Sequence, residues 1–147
     1  MDELITALKV YLANAYQMYT KAHGFHWNIE GRDFDQYHGF FSGIYEEVYD
    51  SVDAIAENIR KTNLAEYAPY GLATLAGLST IPETKISGTQ LSAMLTDLDA
   101  ANTEVMNSIR AAYKLAEAAG EIGLSNFLQD RYDAHAKHRW QIRASSK

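Results

Sequence analysis

Residues 33–62 read DFDQYHGFFSGIYEEVYDSVDAIAENIRKT, a stretch without a single Pro. Phe41, Ile44, Val48, Val52, Ile55 and Ile59 recur in it at three- and four-residue steps, the apolar ridge of one amphipathic helix. His38, Ser42, Glu46, Asp53 and Glu57 fall together on another side at roughly 100° per residue, so the same helix carries a polar line. A helix from about Asp33 to Thr62 is far longer than the globular average of about 11–12 residues. Its ridge needs partners of similar length, and the way to supply them is a bundle.

The flanks supply those partners. Upstream, Leu4, Ile5, Leu8, Leu12, Ala15, Tyr16 and Tyr19 keep helical spacing, which predicts a helix from Asp2 to about Asn28 and a turn at Gly31 and Asp33. Downstream, both prolines (Pro69 and Pro82) and the glycines Gly71, Gly77 and Gly88 fall between Asn63 and Gly88, which marks a connector. Beyond it, Leu91, Leu95, Leu98, Val105, Ile109 and Leu115 form another stripe, which Ser87 or Thr89 could cap. Gly120 and Gly123 are expected to break that helix, and a last one follows from about Leu124 to Ala144. The expected fold is all-α: one domain over residues 1–147, an up-and-down four-helix bundle with one long crossover and a short extra helix around Gly71–Gly77.

Composition narrows the function. The net charge of −6 argues against nucleic-acid binding, which normally wants a basic patch. The absence of Cys excludes disulfides and thiolate metal sites. The N-terminus has no basic region ahead of its apolar residues, and no apolar run reaches the roughly 18–20 residues of a membrane span, so a cytoplasmic location is expected. A phosphate-binding Gly loop, a G-x-S-x-G elbow and an H-E-x-x-H pair are all absent from the sequence.

The polar line on the second helix is the candidate for chemistry, with His26, Glu30 and Asp35 near it around the turn. Imidazole together with carboxylate suits iron, zinc or manganese better than calcium or magnesium. A distance then matters. His38 and Asp53 are 15 residues apart, so they stand roughly 22 Å apart on a straight helix and cannot share an ion within one chain. Two antiparallel copies of the helix about a two-fold axis near Glu46–Glu47 would bring His38 of one subunit beside Asp53 and Glu57 of the other, twice over. Gly39, Ser42 and Gly43 are small enough for a close approach there. A polar residue on a long helix is more often solvated or hydrogen-bonded than a ligand, and spacing alone leaves both open. The pairs His23/His26 and His135/His138 are weak ligand candidates of the same kind, and aromatic residues at helical spacing are more often core than electron relays.

The segment His26-Trp27-Asn28-Ile29-Glu30-Gly31-Arg32-Asp33-Phe34, then His38, then Asp53-Ala54-Ile55-Ala56-Glu57, resembles the Dps family of mini-ferritins. The crossover Tyr70-Gly71-Leu72-Ala73-Thr74 and Leu78-Ser79-Thr80-Ile81 and the closing segment Asp133–Ala144 are similar as well, so the resemblance covers nearly the whole chain. It implies a ferritin-like fold, a homo-oligomeric cage of twelve subunits (a dodecamer), and ferroxidase sites at two-fold interfaces. Such cages oxidise ferrous iron with peroxide or oxygen and store the ferric product, which protects against oxidative damage. By position, His26 and His38 match two metal ligands from one subunit, and Asp53 and Glu57 match those of its neighbour. Trp27 matches an aromatic residue beside the site, a one-electron donor with a catalytic part. Iron is the implied metal, with zinc as a substitute.

Two departures from the family pattern bear on function. The family's usual acidic ligand four residues after the second His is here Ser42, a neutral group, with Glu46 and Asp50 as auxiliary candidates to compensate. The Lys/Arg-rich tail of DNA-binding members has no counterpart in the acidic N-terminus or in Arg143-Ala144-Ser145-Ser146-Lys147. The leading expectation is a ferroxidase-type oxidoreductase and iron store. The alternative is a Dps-like oligomer with impaired oxidation that acts as a structural, metal-sequestering or DNA-binding protein.

Overall fold

A computed structural model describes residues 2–147, and the described residues are all helical or irregular, without a strand. Five helices follow one another: α1 (Asp2–Asn28), α2 (Phe34–Thr62), α3 (Leu72–Leu78), α4 (Leu91–Ala118) and α5 (Ile122–Ser145). The four long ones form the bundle and α3 lies in the crossover, as the ferritin-like pattern implies. Helix α1 is the hub, packing along both α2 and α4, while α5 packs along α4 and meets α2 mainly through side chains. Its apolar stripe of Leu4, Leu8, Leu12, Ala15 and Met18 is buried against Phe41, Ile44, Val48, Ile55 and Ile59 of α2 and against Leu98, Val105 and Ile109 of α4. Charges favour the helix dipoles at several ends: Asp2 and Glu3 open α1, Asp35 opens α2, and Arg60 and Lys61 close it.

Two local expectations are corrected. Neither Ser87 nor Thr89 caps α4; the N-cap is Gln90 without a side-chain bond, and Ser87 instead bonds Thr89 through its hydroxyl. Gly123 does not break a helix but lies inside the first turn of α5. Gly120 alone makes the turn. With φ at +72°, it lets its own N–H reach the Glu117 carbonyl and the Glu121 N–H reach that of Ala116, the paired closing bonds of a helix end.

The crossover is fastened to α1. Fully buried Asn14 accepts from Ser79 Oγ and the Thr80 N–H, both at 2.8 Å, and donates to Thr80 Oγ1 at 2.9 Å. Lys21, almost fully buried, pairs with Asp97 of α4 at 2.6 Å and donates to Thr84 Oγ1 and the Pro82 carbonyl. At the far end of the crossover the Glu30 N–H donates to the Gly88 carbonyl at 2.9 Å. A side chain at position 88 would put its Cβ 1.8 Å from the Asn28 carbonyl oxygen, so this close backbone crossing needs glycine. The corner between α1 and α2 is thereby held from outside.

Candidate metal centre

That corner sets two imidazoles face to face. His26, in the last turn of α1, and His38, early in α2, stack with ring centroids 3.7 Å apart and planes 14° apart. Each is braced by the backbone of the other. His26 Nδ1 donates to the His38 carbonyl at 2.6 Å, and His38 Nδ1 donates to the His26 carbonyl at 2.8 Å. A carbonyl only accepts, so both Nδ1 atoms carry a proton, and the neutral tautomer compatible with these bonds has its lone pair on Nε2. Among the described residues no hydrogen bond engages either Nε2. Phe34 stacks on His38 with centroids 4.8 Å apart, and both imidazoles remain half-exposed.

The acids stand elsewhere. Asp53 and Glu57 are exposed farther along α2, as are Glu46 and Asp50 on the intervening turns. Ser42 is half-buried and gives its hydroxyl to the Gly39 carbonyl of its own helix at 3.0 Å. Glu30 and Asp35 are exposed. Among the described residues of this one chain, no three His, Asp or Glu side chains come together as a metal-holding group. The chain thus brings His26 and His38 together and leaves Asp53 and Glu57 apart from them. Nothing lies within 4 Å of a Cβ built at Gly39 or Gly43, so packing within the chain does not account for those glycines.

His23 does not join His26 as a ligand pair; their ring centroids are 6.3 Å apart. It stacks instead on Tyr45 at 4.1 Å, meets Trp27 at 4.1 Å, and sets its Nδ1 3.2 Å from the Tyr19 hydroxyl. Burial, with the nearby His26 second, lowers the pKa of His23 and favours the neutral ring. Trp27 itself is 64% exposed.

Residues 5–145 match the ferritin-like domain in a comparison with protein families. The chain belongs to the ferritin-like family. General stress protein 20U of Bacillus subtilis (strain 168) is 26% identical over 145 residues, 97% of each chain. The DNA protection during starvation protein of Brevibacillus brevis is 25% identical over 137 residues, covering 90% of this chain and 87% of its own length. Among solved structures, the Dps protein of Vibrio cholerae O1, described as one of the ferritin-like diiron-carboxylate proteins, superposes with a TM-score of 0.90 at 25% identity, over 99% of this chain and 90% of its own. Together these place the chain among the Dps-family ferritin-like proteins.

Ferritin-like di-iron proteins commonly build their metal site in the bundle core, from inward Glu and His side chains on facing helices. In this ferritin-like chain the core cation is a guanidinium. Arg131 of α5 holds Glu47 of α2 through two bonds of 2.5 and 3.0 Å, and His138 Nε2 meets the same carboxylate at 2.7 Å. His135, fully buried, donates from Nδ1 to Asn102 Oδ1 at 2.7 Å and accepts at Nε2 from Arg131 at 3.2 Å. Burial first, and the Arg131 charge second, push the His135 pKa well below its ordinary value, so the ring is neutral. Burial raises the Glu47 pKa, but the hydrogen bonds from His138 and Arg131 and the Arg131 charge outweigh it and keep the carboxyl well below the usual carboxylate range. Tyr11 lies beside this cluster, and burial pushes its phenol up to about 12. His135 and His138 are therefore interior structural groups, and the Glu47 carboxylate is turned toward Arg131 and His138 of α5.

Reasoning from the sequence passed over this cluster, although a signal was present. Leu128, Arg131, His135, His138 and Ile142 follow three- and four-residue steps, so a buried stripe on α5 had to be polar in its middle. Glu47 likewise interrupts the apolar ridge of α2 between Ile44 and Val48.

Proposed function

We propose that the protein binds ferrous iron at sites shared by two subunits, oxidises it with peroxide or oxygen, and keeps the ferric product inside a closed cage of about twelve chains. The observation that carries this reading is the mutual bracing of His26 and His38, which leaves two parallel imidazoles with free Nε2 lone pairs. Fixing the tautomer through Nδ1 is the usual way a protein prepares a histidine to ligate. The missing anionic oxygens are Asp53 and Glu57 of the neighbouring subunit, which the length of α2 keeps away from the histidines of their own chain. The ion pair inside the bundle is a further support, since Arg131 and His138 already engage Glu47, the carboxylate of α2 that faces α5. Iron is here the substrate; zinc, with similar ligand distances, is expected to occupy the site as an inhibitor.

Ser42 favours a second, weaker reading. Its hydroxyl is spent on the Gly39 carbonyl, so the position next to His38 adds no charge, and a cage that sequesters iron but oxidises it slowly would have this feature. The net charge of −6 per chain works against binding DNA through phosphate contacts. Anaerobic ferrous titration of the purified protein, followed by peroxide, tests the proposal. Binding at inter-subunit sites and rapid formation of protein-held ferric iron are expected, with light scattering giving the mass of a cage. Monomers at working concentration, or no ferrous binding, would overturn it. Binding followed by slow oxidation would select the sequestering reading.

A further inference from the structure

Between α4 and α5, on the side open to solvent, lies a cleft of about 380 Å³, large enough for a small organic molecule. Its floor is apolar: Ile109 and Leu128, both buried in the core. Half-buried Tyr113 and Tyr132 form the walls. Both phenols are held at their hydroxyls. Tyr113 donates to Glu117 Oε2 at 2.5 Å and accepts from Gln129 Nε2 at 3.3 Å, and Tyr132 accepts from Arg110 Nη2. The Arg110 guanidinium also lies 5.3 Å from the centre of the Tyr132 ring. Lys114 follows one helical turn later on the same side of α4. Lys9, Lys21, Arg131 and Arg143 each hold a carboxylate, but among the described residues none pairs with Arg110 or Lys114. An apolar floor is thus edged by two cations without an anion.

We propose that this cleft binds a small aromatic carboxylate, with its ring over Ile109 and Leu128 between the two tyrosines and its carboxylate on Arg110. The site goes beyond the iron reading and does not depend on it. Charge, length and polarity select the class. Arg110 has spent one N–H on Tyr132, and its remaining fork can take a carboxylate through two parallel bonds. The same bond holds the guanidinium in place before a ligand arrives, which lowers the ordering cost of binding. Lys114 adds attraction from one turn away, and Glu117, two turns beyond Arg110 at the Tyr113 end, repels an anion placed the other way round. The lining residues run over 109–114 and 128–132, roughly 6–8 Å of helix at 1.5 Å per residue. A body of one or two fused rings fills that length, whereas a long acyl chain or the helix face of a partner would overhang it. Phosphate or sulfate would lay unpaired oxygens against the apolar floor, which is unfavourable.

Calorimetric titration of the assembled protein with β-naphthoate tests the site. Saturable binding of one naphthoate per chain is expected. Arg110→Gln should weaken it by about tenfold or more, and Arg110→Lys by nearly as much, because a point charge cannot make two parallel bonds. Lys114→Gln should weaken it by about twofold to threefold, and neutral β-naphthylmethanol should bind the parent about tenfold more weakly than naphthoate. Both cations are exposed, so these variants are expected to assemble and to keep their ferrous stoichiometry. Lys61→Gln, which removes an exposed cation of α2, should leave naphthoate binding unchanged. Absence of saturable binding up to about 5 mM naphthoate overturns the proposal, and that is the result expected if a neighbouring subunit fills the cleft. Equal affinity for the alcohol and the carboxylate, unchanged affinity in Arg110→Gln, or the same loss in Lys61→Gln as in Arg110→Gln overturns it as well. None of these outcomes involves iron, so the reading of the metal centre stands or falls separately.

Discussion

His26 and His38 occupy a half-exposed corner, whereas His135 and His138 lie inside the bundle, and the two pairs differ in what their ring nitrogens hold. At the corner, backbone carbonyls take the Nδ1 protons and leave Nε2 free. In the interior, Asn102 and Arg131 occupy both nitrogens of His135, and Glu47 takes one of His138. Four histidines thus divide into two whose Nε2 is left without a hydrogen bond among the described residues and two consumed by the fold. Availability of an imidazole depends less on its being near another histidine than on which of its nitrogens the chain has already used.

If this contrast is right, damage to the interior pair should cost stability and spare binding, and damage to the corner should do the reverse. The largest effect is expected for Arg131→Met. It strips the half-buried Glu47 carboxylate of its bidentate partner and leaves it to His138, at a cost of about 2 kcal/mol. Melting of the assembled protein should fall by about 5–10 °C, while ferrous stoichiometry per folded chain stays the same. A melting point within a degree or so of the parent would show that the interior cluster is not a structural fastening.

His38→Ala reverses the pattern. Ferrous or zinc affinity, followed by titration, should drop by about tenfold to a hundredfold or more, and melting without metal should move by no more than about 1 kcal/mol. Equal affinity in variant and parent would break the corner assignment.

Acid sharpens the comparison at smaller scale. His135 titrates well below its ordinary 6.5, so as pH falls past that value the unfolded chain takes up a proton that the folded chain refuses. Glu47 titrates below its ordinary 4.5, so its contribution is complete above that pH and is lost as pH falls through the depressed folded value. Stability should therefore decline in two stages on acidification. His135→Gln should remove most of the first stage, leaving the smaller share that His23 contributes, and keep the second, as melting curves at stepped pH would show. A single late stage in the parent would mean that His135 is not held neutral.

The smallest effect belongs to Ser42→Asp. A carboxylate beside His38 adds an anionic oxygen to the corner, so a second ferrous ion per site or faster oxidation is expected, with metal-free stability lower by about 1 kcal/mol. Unchanged stoichiometry and rate would indicate that Glu46 or Asp50 already serves there.

Much of the fold was legible because its signals are periodic. The ridge of Phe41, Ile44, Val48, Ile55 and Ile59 predicted α2 almost to the residue, and the cluster of Pro and Gly between Asn63 and Gly88 located the crossover. Helix ends were less legible. Gly120 and Gly123 look alike in sequence, yet only the first takes a positive φ, because what separates them is hydrogen bonding to residues upstream. At the site, His26 and His38 were legible as candidates, but their mutual bracing was not, since it runs through main-chain carbonyls that every residue possesses. The interior cluster left a periodic trace on α5, but its pairing did not: that Glu47 and Arg131 meet is seen when α2 and α5 are set opposite each other.

Gly88 gives this architecture an order in time. Its carbonyl receives the Glu30 amide, and its bare Cα lies against the carbonyl of Asn28, so the corner that carries His26 is completed by a residue from the far end of the crossover. The α1–α2 hairpin can form early, from neighbouring sequence, but this last contact waits until the connector has been drawn across and seated on Asn14 and Lys21. The Glu30 amide is therefore a clock for the maturation of the site. In pulsed hydrogen exchange during refolding it should gain protection later than the amides in the middle of α1, and simultaneous protection would show that the corner forms without the crossover.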